Sequence, residues 1–316
     1  MRPAGFLDKE ASQIETTVSN VNKGHGWVPN ITCPACGHGH SKVAMTRFER
    51  NVLQCSGCGV GYMEAFPADL GDVYSHEGYN DTQETNYLHN VDYRKKRFAL
   101  ERLKIIRGHI KKAPRDTRLL DVGCGTGWFL EVAMQEGFVG YGLELGKEIA
   151  AATSKRLKIR VFTETLQEMP ESEKFDVITL FDVLEHVPDP KSVLQAVHAH
   201  LRPGGIALIF CPNLDSVGMK ILGPRSSLVM PAEHLFYFTP KSLQSLIEQT
   251  PLKVVEWMTK GMDIPDVMSH YRDDKGSKEI ADFLAEHGQL LQAVIDQAGC
   301  ANHMRFVVTG SPLPES

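Results

Sequence analysis

Four cysteines fall in two closely spaced pairs, Cys33-Pro-Ala-Cys36 and Cys55-Ser-Gly-Cys58, which together read C-x2-C-x18-C-x2-C. A two-residue spacer lets both sulfurs of a turn reach one tetrahedral ion, and the glycine after each pair accommodates the tight turn. The pattern predicts a structural zinc ribbon, because a module of about 35 residues buries too little core to fold without the metal. Redox activity of the pairs is the alternative, and two matched pairs at ribbon spacing disfavour it.

A second stretch runs from an apolar strand into glycines and then into a helix: Leu119-Leu-Asp-Val-Gly-Cys-Gly-Thr-Gly127. At such a strand end, residues without a Cβ let a cofactor approach the backbone. The dinucleotide fingerprint G-x-G-x-x-G is not met, because Trp128 stands at its third glycine position, and this disfavours a dehydrogenase. The carboxylate of Asp121 instead suits a ligand that carries an ammonium and a sulfonium group, as S-adenosylmethionine does.

The following strands carry further polar and glycine-rich segments. Glu144 ends the strand Val139-Gly-Tyr-Gly-Leu-Glu144, 21 residues after Gly123, where an acidic side chain accepts hydrogen bonds from both ribose hydroxyls. A fourth strand with polar groups at its C-terminal end and a glycine turn before a fifth strand come next. These segments read Phe175-Asp-Val-Ile-Thr-Leu-Phe-Asp-Val-Leu-Glu-His-Val-Pro188 and Leu201-Arg-Pro-Gly-Gly205.

Taken together, these segments resemble the class I S-adenosylmethionine-dependent methyltransferases. The FDxV…DVLEHVxDP, LxPGG and xxPN segments are most similar to the branch that includes ubiquinone-biosynthesis-type O-methyltransferases. The resemblance covers about residues 92–310. It implies an α/β, Rossmann-like sheet of seven strands whose last strand is antiparallel and lies between the fifth and the sixth.

The resemblance also implies a set of cofactor-binding residues. Those assigned by position are Asp121, Gly123 and Gly125 at the methionine half, Glu144 at the ribose, Thr165 and Leu166 at the adenine, and Phe181 with Asp182 beside the methionine group. Cys124, Gly127 and Leu145 lie in the same segments and complete the predicted site. Thr165 stands where the family usually has an aspartate that contacts the adenine amine.

Two histidines are candidate catalytic residues. Methyl transfer from a sulfonium is an in-line displacement, in which a general base assists a hydroxyl acceptor. His186 follows the fourth strand, and His234 lies in Pro231-Ala-Glu-His-Leu-Phe-Tyr-Phe-Thr239, in a segment expected to cap the site. The alternative for each is a structural histidine. Asp182, Glu185 and His186 can also hold a divalent ion, which the sequence does not require.

The elements that position these residues alternate between strand and helix, as in a parallel sheet built from βαβ units. We expect strands at 118–122, 139–143, 159–162, 175–181, 205–211, 252–260 and 304–310. We expect helices at 128–136, 146–157, 190–201 and about 277–298, and one that begins at Thr239-Pro240. Within this catalytic domain, residues 118–310, segment 212–238 should cap the site. The insert 262–300 should shape the acceptor pocket or an oligomer contact.

Three segments precede the predicted sheet. Residues 1–30 lack a sustained period and are expected to be a flexible or loosely packed lead-in, residues 31–66 form the ribbon, and residues 67–117 form a linker and a helix over 92–112. The linker tyrosines either cover the cofactor as a lid or pack in the ordinary way: Tyr74, Tyr79, Tyr87 and Tyr93. The helix is basic, which predicts a solvated face or a patch for RNA or an anionic substrate. Its basic residues are Arg94, Lys95, Lys96, Arg97, Arg102, Lys104, Arg107, Lys111 and Lys112.

Composition narrows the class of protein. Lys and Arg number 34 and Asp and Glu 39, so the net charge of −5 disfavours a protein whose main task is to grip nucleic acid. The N-terminal segment lacks the apolar core of a secretory signal, and no run of 18 apolar residues predicts a membrane span. Seven cysteines, four of them in metal-type pairs, favour a reducing compartment, so we expect a cytoplasmic protein.

The sequence therefore predicts an S-adenosylmethionine-dependent methyltransferase with a structural zinc ion. The leading hypothesis for the acceptor is a small molecule methylated on a hydroxyl: a sugar, a polysaccharide precursor or a secondary metabolite. The alternatives are an RNA methyltransferase that grips RNA with the ribbon and the basic helix, a C- or N-methyltransferase of a small molecule, and a non-catalytic cofactor-binding protein. The sequence leaves a homodimer open.

Overall fold

The chain begins with a packed helix. A computed structural model describes residues 6–74, 92, 95–272 and 277–310, and helix α1 spans Phe6–Lys23. Ile14, Val18 and Val21 of α1 are buried, and Val21 packs against Val73 and Ala232. The prediction of a loosely packed lead-in over residues 1–30 is therefore wrong for the described part. The apolar residues of α1 follow helical spacing, and residues that are distant in sequence cover them.

Two small antiparallel sheets follow. Strands β1 (Trp27–Pro29) and β5 (Ala65–Pro67) pair with each other, while β2 (Ser41–Arg47), β3 (Arg50–Cys55) and β4 (Gly61–Met63) form a meander. One cysteine pair precedes β2 and the other begins at Cys55, the last residue of β3, so the meander brings the two turns together.

Short helical elements connect the ribbon to the large sheet. Among the described residues these are α2 (Gly71–Tyr74), a π-helical turn at Lys95–Ala99, α3 (Leu100–His109) and a 3₁₀ turn at Pro114–Asp116. The predicted helix over 92–112 thus ends three residues early. Three tyrosines of the predicted lid, Tyr79, Tyr87 and Tyr93, lie outside the described residues, as does Arg94 of the basic helix. The fourth, Tyr74, is at the end of α2, and its side chain is not described.

The strands from Arg118 onward are β6 (Arg118–Val122), β7 (Val139–Leu143), β8 (Val161–Phe162), β9 (Phe175–Phe181), β10 (Leu201–Pro212), β11 (Phe236–Tyr237), β12 (Lys253–Thr259) and β13 (His303–Thr309). All but β11 form one sheet, ordered β12-β13-β10-β9-β6-β7-β8. Strand β13 is antiparallel to both β10 and β12, while β6 to β10 are parallel. The predicted seven-stranded sheet, with its antiparallel last strand between the fifth and the sixth, is confirmed.

The helices of this part are α4 (Trp128–Gln135), α5 (Lys147–Leu157), α6 (Pro190–His200), α7 (Val217–Leu222), α8 (Pro240–Glu248), α9 (Asp263–Arg272) and α10 (Lys278–Gln297). Side chains of the sheet alternate between two hydrophobic clusters, as a sheet covered on both faces requires. Leu120 and Ile178 belong to one cluster, and Leu119 and Val177 to the other. None of the described helices is long and apolar enough to cross a bilayer.

The cap and the insert are more regular than the sequence predicts. Segment 212–238 contains α7, a 3₁₀ turn at Gly223–Arg225 and β11, and β11 pairs with ribbon strand β4. The insert 262–300 is a pair of helices, of which only α10 was predicted; α9 packs against α10 and α7. Helix α8 begins as expected, with a reciprocal hydrogen-bonded cap between Thr239 and Ser242.

Candidate active site

The glycine loop after β6 has the backbone that its sequence implies. Gly123, Gly125 and Gly127 have φ angles of 68°, 50° and 69°, a region that side chains with a Cβ rarely adopt. A Cβ on Gly123 would also lie 3.1 Å from the Cγ2 atom of Val183. The loop is held against β7, because the Gly123 amide donates to the Leu143 carbonyl at 2.8 Å. A Cβ on Gly125 would meet nothing within 4 Å, so the loop has open space at this residue.

Glu144 faces this loop from the end of β7. Its Oε2 atom accepts a hydrogen bond from the Gly125 amide at 3.0 Å, and its Oε1 atom accepts one from the Gly146 amide at 2.8 Å. Two backbone donors fix the carboxylate beside the glycine cradle. This position fits the predicted recognition of vicinal ribose hydroxyls, which are hydrogen-bond donors.

Asp121 is a buried carboxyl at the end of β6. It is 4% exposed and accepts a hydrogen bond from the Thr179 hydroxyl at 2.6 Å. Burial raises the pKa of Asp121 to about 7, although the Thr179 hydroxyl and the positive charge of Arg102 lower it. A cationic ligand at this position would stabilise the ionised form, so the carboxyl fits the aminoacyl end of the cofactor.

Arg102 also belongs to this region, although its position was predicted only as part of a basic helix. Its guanidinium carbon lies 5.1, 3.9 and 4.8 Å from the ring centres of Trp128, Phe181 and Phe210. The side chain is buried, so the prediction of a solvated helix face does not hold for Arg102. Its place three residues after buried Ala99, on the apolar face of the helix, was the available signal.

The candidate catalytic histidines lie together. The rings of His186 and His234 are 4.7 Å apart, with an interplanar angle of 85°. Asp182, at the end of β9, has a φ of 58°, and its Oδ1 atom lies 3.7 Å from the Nε2 atom of His303. His303 begins β13 and was not predicted, because only the strand order places it beside β10.

The hydrogen bond of His234 determines which ring nitrogen carries the proton. Its Nδ1 atom lies 2.9 Å from the carbonyl oxygen of Leu228. A carbonyl only accepts, so Nδ1–H donates and Nε2 keeps a lone pair in the neutral ring. Burial lowers the pKa of His234 to about 4, and burial together with His234 lowers the pKa of His186. Both rings are therefore neutral near pH 7.

Glu185 completes this cluster. It is 1% exposed, and among the described residues neither carboxylate oxygen is hydrogen-bonded to a neighbouring side chain or backbone group. Burial and the negative charge of Asp182 raise its pKa well above the usual value. Glu185, His186 and His234 each place one ligand atom within 4.8 Å of those of the other two, so these three residues can hold a metal ion. A carboxylate with two imidazoles is a donor set for a transition metal.

Comparisons with known proteins agree with this geometry. The model of the methyltransferase domain family matches residues 87–256. The ubiquinone biosynthesis O-methyltransferase of Vibrio atlanticus (strain LGP32) is 31% identical over 179 residues, which cover 52% of this chain and 72% of that protein. The protein of the same name from Vibrio vulnificus (strain YJ016) is 33% identical over 148 residues, which cover 43% of this chain and 63% of that protein.

This chain belongs to the methyltransferase domain family. It is an enzyme of the S-adenosylmethionine-dependent methyltransferase type, as its glycine loop predicts. Among solved structures, the plantazolicin methyltransferase BpumL in complex with SAH is similar in fold, with a TM-score of 0.51 and 14% identity over 76% of this chain and 92% of that one.

The remaining predicted cofactor residues of the methyltransferase occupy different environments. The Cys124 thiol is buried where a Cβ on Gly142 would meet its sulfur at 2.7 Å. Leu166 is buried in the core, and Leu145 is exposed. The Thr165 hydroxyl donates to Glu168 at 2.7 Å, and the Phe181 ring packs 4.9 Å from those of Phe129 and Phe210. Their contacts with the cofactor stay predictions.

The ribbon of the methyltransferase brings its four thiols together. Sulfur–sulfur distances are 3.8 Å between Cys33 and Cys58 and 3.6 Å between Cys36 and Cys55, and all four lie within 4.8 Å of one another. A tetrahedral zinc ion with Zn–S bonds of about 2.3 Å requires S–S edges of about 3.8 Å. Burial would raise the pKa of Cys55, but amides of Cys58 and Gly57 and neighbouring thiols lower it to about 7, whereas burial raises the pKa of Cys33 and of Cys58. The donor set therefore fits a tetrahedral, thiophilic metal ion.

Proposed function

We propose that this methyltransferase transfers a methyl group to a hydroxyl of a small-molecule acceptor, with His234 as the general base. The acceptor class is a sugar, a polysaccharide precursor or a secondary metabolite. The observation that carries the proposal is the neutral pair of His186 and His234 beside Asp182, with the Nε2 lone pair of His234 available to accept a proton. The names of the O-methyltransferase relatives support the choice of oxygen.

Each group has a defined part in this proposal. S-adenosylmethionine, when bound, supplies an electrophilic methyl group on a sulfonium. The glycine loop, Asp121 and Glu144 hold and orient the cofactor, so that the acceptor approaches in line. His234 accepts the hydroxyl proton as the new bond forms. Burial lowers the pKa of His234, and the negative charge of Asp182 partly offsets that effect, which favours the imidazolium. His186 packs its ring 4.7 Å from that of His234 and bonds to the backbone of Glu233.

An RNA acceptor is the runner-up, and charge pairing disfavours it. Several basic residues of the predicted patch pair with carboxylates of the domain: Lys95 with Glu131 at 2.6 Å, Arg107 with Glu136 at 2.5 Å and Lys112 with Asp176 at 2.5 Å. Each pair removes a cation from the set available to phosphates, and phosphate contacts supply most of the non-specific affinity for RNA. Methyl transfer to carbon or nitrogen of a small molecule is the other alternative.

We propose that the four cysteines bind one structural zinc ion. The sulfur spacing, close to the edges of a zinc tetrahedron, supports this assignment. We further propose that the chain has two domains, the zinc ribbon of residues 31–66 and the catalytic domain of residues 118–310.

We also propose a cytoplasmic location, because four thiols of this kind stay reduced and keep their metal in a reducing compartment.

The experiment is a methyl-transfer screen with S-adenosylmethionine labelled in its methyl group. Its acceptor panels are phenols, sugars and sugar nucleotides, and short RNAs. We expect label in a small molecule, with an O-methyl product by NMR. His234→Gln should lower kcat by roughly 10²- to 10⁴-fold at unchanged cofactor affinity. His109→Gln is the matched control, because His109 also bonds a backbone carbonyl through Nδ1 but lies on α3. Transfer to RNA alone, a C- or N-methyl product, or a fully active His234→Gln variant would contradict the proposal.

A further inference from the structure

The ribbon hairpin contacts the loop that carries His234. Strands β2 and β3 meet at Arg47 and Arg50, and the Nη1 atom of Arg47 donates to the carbonyl oxygens of Ser226 at 2.8 Å and Val229 at 2.5 Å. Hydrogen bonds from a charged guanidinium are stronger than those between neutral groups. Arg47 therefore ties together the two ends of a four-residue turn in the cap.

That turn holds the Nδ1 atom of His234. The Val229 amide donates to the Ser226 carbonyl at 3.0 Å, which closes the turn, and Leu228 is its third residue. The carbonyl oxygen of Leu228 is the acceptor for Nδ1–H of His234 at 2.9 Å. Arg47 bonds the carbonyls on both sides of Leu228, and the Leu228 amide also donates to the Ser226 hydroxyl oxygen at 3.3 Å, so Arg47 is one of the contacts that set the direction of the Leu228 carbonyl.

The ribbon also holds the chain that follows His234. Strand β11, two residues later, pairs with β4, and the Met63 amide donates to the Leu235 carbonyl at 3.0 Å. In turn, the Leu235 amide donates to the carbonyl of Glu185 at 2.7 Å. The cap thus meets the ribbon on both sides of His234.

We propose that the ribbon is part of the acceptor site and that Arg47 is a positioning residue that fixes the tautomer and orientation of His234. The catalytic meaning of this inference rests on the proposed function, but the positioning itself does not. With Arg47 in place, Nδ1 carries the proton and Nε2 is the basic atom. Without it, the turn relaxes and the ring samples both tautomers.

The test compares three variants of the full-length protein, labelled with ¹⁵N at histidine. They are Arg47→Met, Arg47→Lys and Arg50→Met. Arg50 is the matched control, because it faces Arg47 across the hairpin but its guanidinium packs 4.0 Å from the Trp27 ring and bonds to Asn22. The His234→Gln variant assigns the His234 signals, and zinc content and S-adenosylmethionine affinity report whether each variant is folded.

Long-range ¹H–¹⁵N spectra report the tautomer, and hydrogen exchange reports protection of residues 228–235. We expect a single Nδ1–H tautomer for His234 in the wild type and in Arg50→Met. In Arg47→Met we expect a mixture of tautomers and roughly tenfold faster amide exchange in this segment. Arg47→Lys should be intermediate, because the ammonium keeps a charged donor nitrogen but lacks the planar guanidinium that orients Nη1 between the two carbonyls.

An Arg47→Met protein with the wild-type tautomer and protection would overturn the inference. If Arg47→Met does not fold, Arg47→Lys decides by the same criterion. Neither readout needs an acceptor, so failure of the positioning inference and failure of the proposed function are distinguishable. With an acceptor from the screen, Arg47→Met should lower kcat about tenfold and leave the KM for S-adenosylmethionine unchanged, whereas Arg50→Met should change neither.

Discussion

His186 and His234 place their rings 4.7 Å apart, edge to face, although one follows the fourth strand of the large sheet and the other lies in the cap. The contact exists because amides of Leu235 and Phe236 donate to the carbonyl of Glu185, at 2.7 and 3.1 Å. The cap is thereby fastened to the end of β9, where the methyl group is predicted to lie. The cofactor site, the ribbon and the stability of the fold can each be tested without changing either histidine.

The cofactor affinity should depend on pH through Asp121. Burial raises the pKa of this carboxyl to about 7, and a cationic ligand requires its ionised form. Binding must therefore release a proton below pH 7, and affinity should fall up to about tenfold per pH unit as the pH drops below 7. Calorimetric titrations with S-adenosylmethionine at pH 6, 7 and 8 measure this. Asp121→Asn should bind at least roughly tenfold more weakly at pH 8 and lose the pH dependence.

The same group should affect the stability of the ligand-free protein. A carboxyl whose folded pKa is raised favours folding below its unfolded pKa near 4, and that contribution is lost as the pH rises to about 7. The difference reaches about 4 kcal/mol for a shift of this size. Urea unfolding between pH 4 and 8 should show that Asp121→Asn loses less stability over this range than the wild type does. Parallel curves would contradict the buried, protonated state of Asp121.

Gly127 should not tolerate a methyl group. Its φ is 69°, and a Cβ would lie 2.7 Å from atoms of both Thr153 and Leu157. Gly127→Ala should lower the free energy of unfolding by roughly 2–4 kcal/mol, from backbone strain and overpacking together. Gly108→Ala is the control, because Gly108 lies in helix α3 with nothing within 4 Å of its Cβ position. It should be neutral or stabilising by up to about 1 kcal/mol.

Metal removal should destabilise the whole protein. Ribbon strand β4 pairs with β11 of the cap. If the ribbon unfolds when the ion is lost, β11 loses its partner strand and the cap is destabilised. We expect one zinc per chain by elemental analysis, and a chelator should lower the free energy of unfolding by at least about 2.7 kcal/mol. Cys36→Ser should lose the metal, whereas Cys300→Ser, a half-exposed cysteine outside the cluster, should keep it. Full zinc content in Cys36→Ser would remove Cys36 from the ligand set.

The protein should bind RNA weakly. The net charge is −5, and Arg118 and Arg160 of the catalytic domain also pair with a carboxylate, that of Glu173. Fluorescence anisotropy with a labelled single-stranded RNA should give a Kd weaker than about 10⁻⁴ M at physiological salt. A tight complex whose affinity falls steeply between 50 and 200 mM salt would revive the RNA acceptor.

Several elements were predictable because local chemistry determines them. The Cys-x2-Cys turns, the left-handed glycines after β6 and the Thr239 cap each depend on residues a few positions apart. Helix α1 was missed although its signal is also local. Its apolar stripe is only about two turns long, and burial of Ile14 and Val21 depends on other parts of the chain.

The sequence by itself determined the predicted cofactor and zinc sites: the glycine cradle, Asp121, Glu144 and the four thiols, since local spacing places these residues at strand ends or in tight turns. Only the tertiary structure decided the proposed acceptor half. It joined ribbon strand β4 to the cap, brought His303 beside Asp182, buried Glu185 without a hydrogen-bonding neighbour among the described residues, and set Arg47 on the turn that holds His234. The physical reason is that these contacts join segments far apart in the chain, and no local period or spacing encodes which surfaces meet.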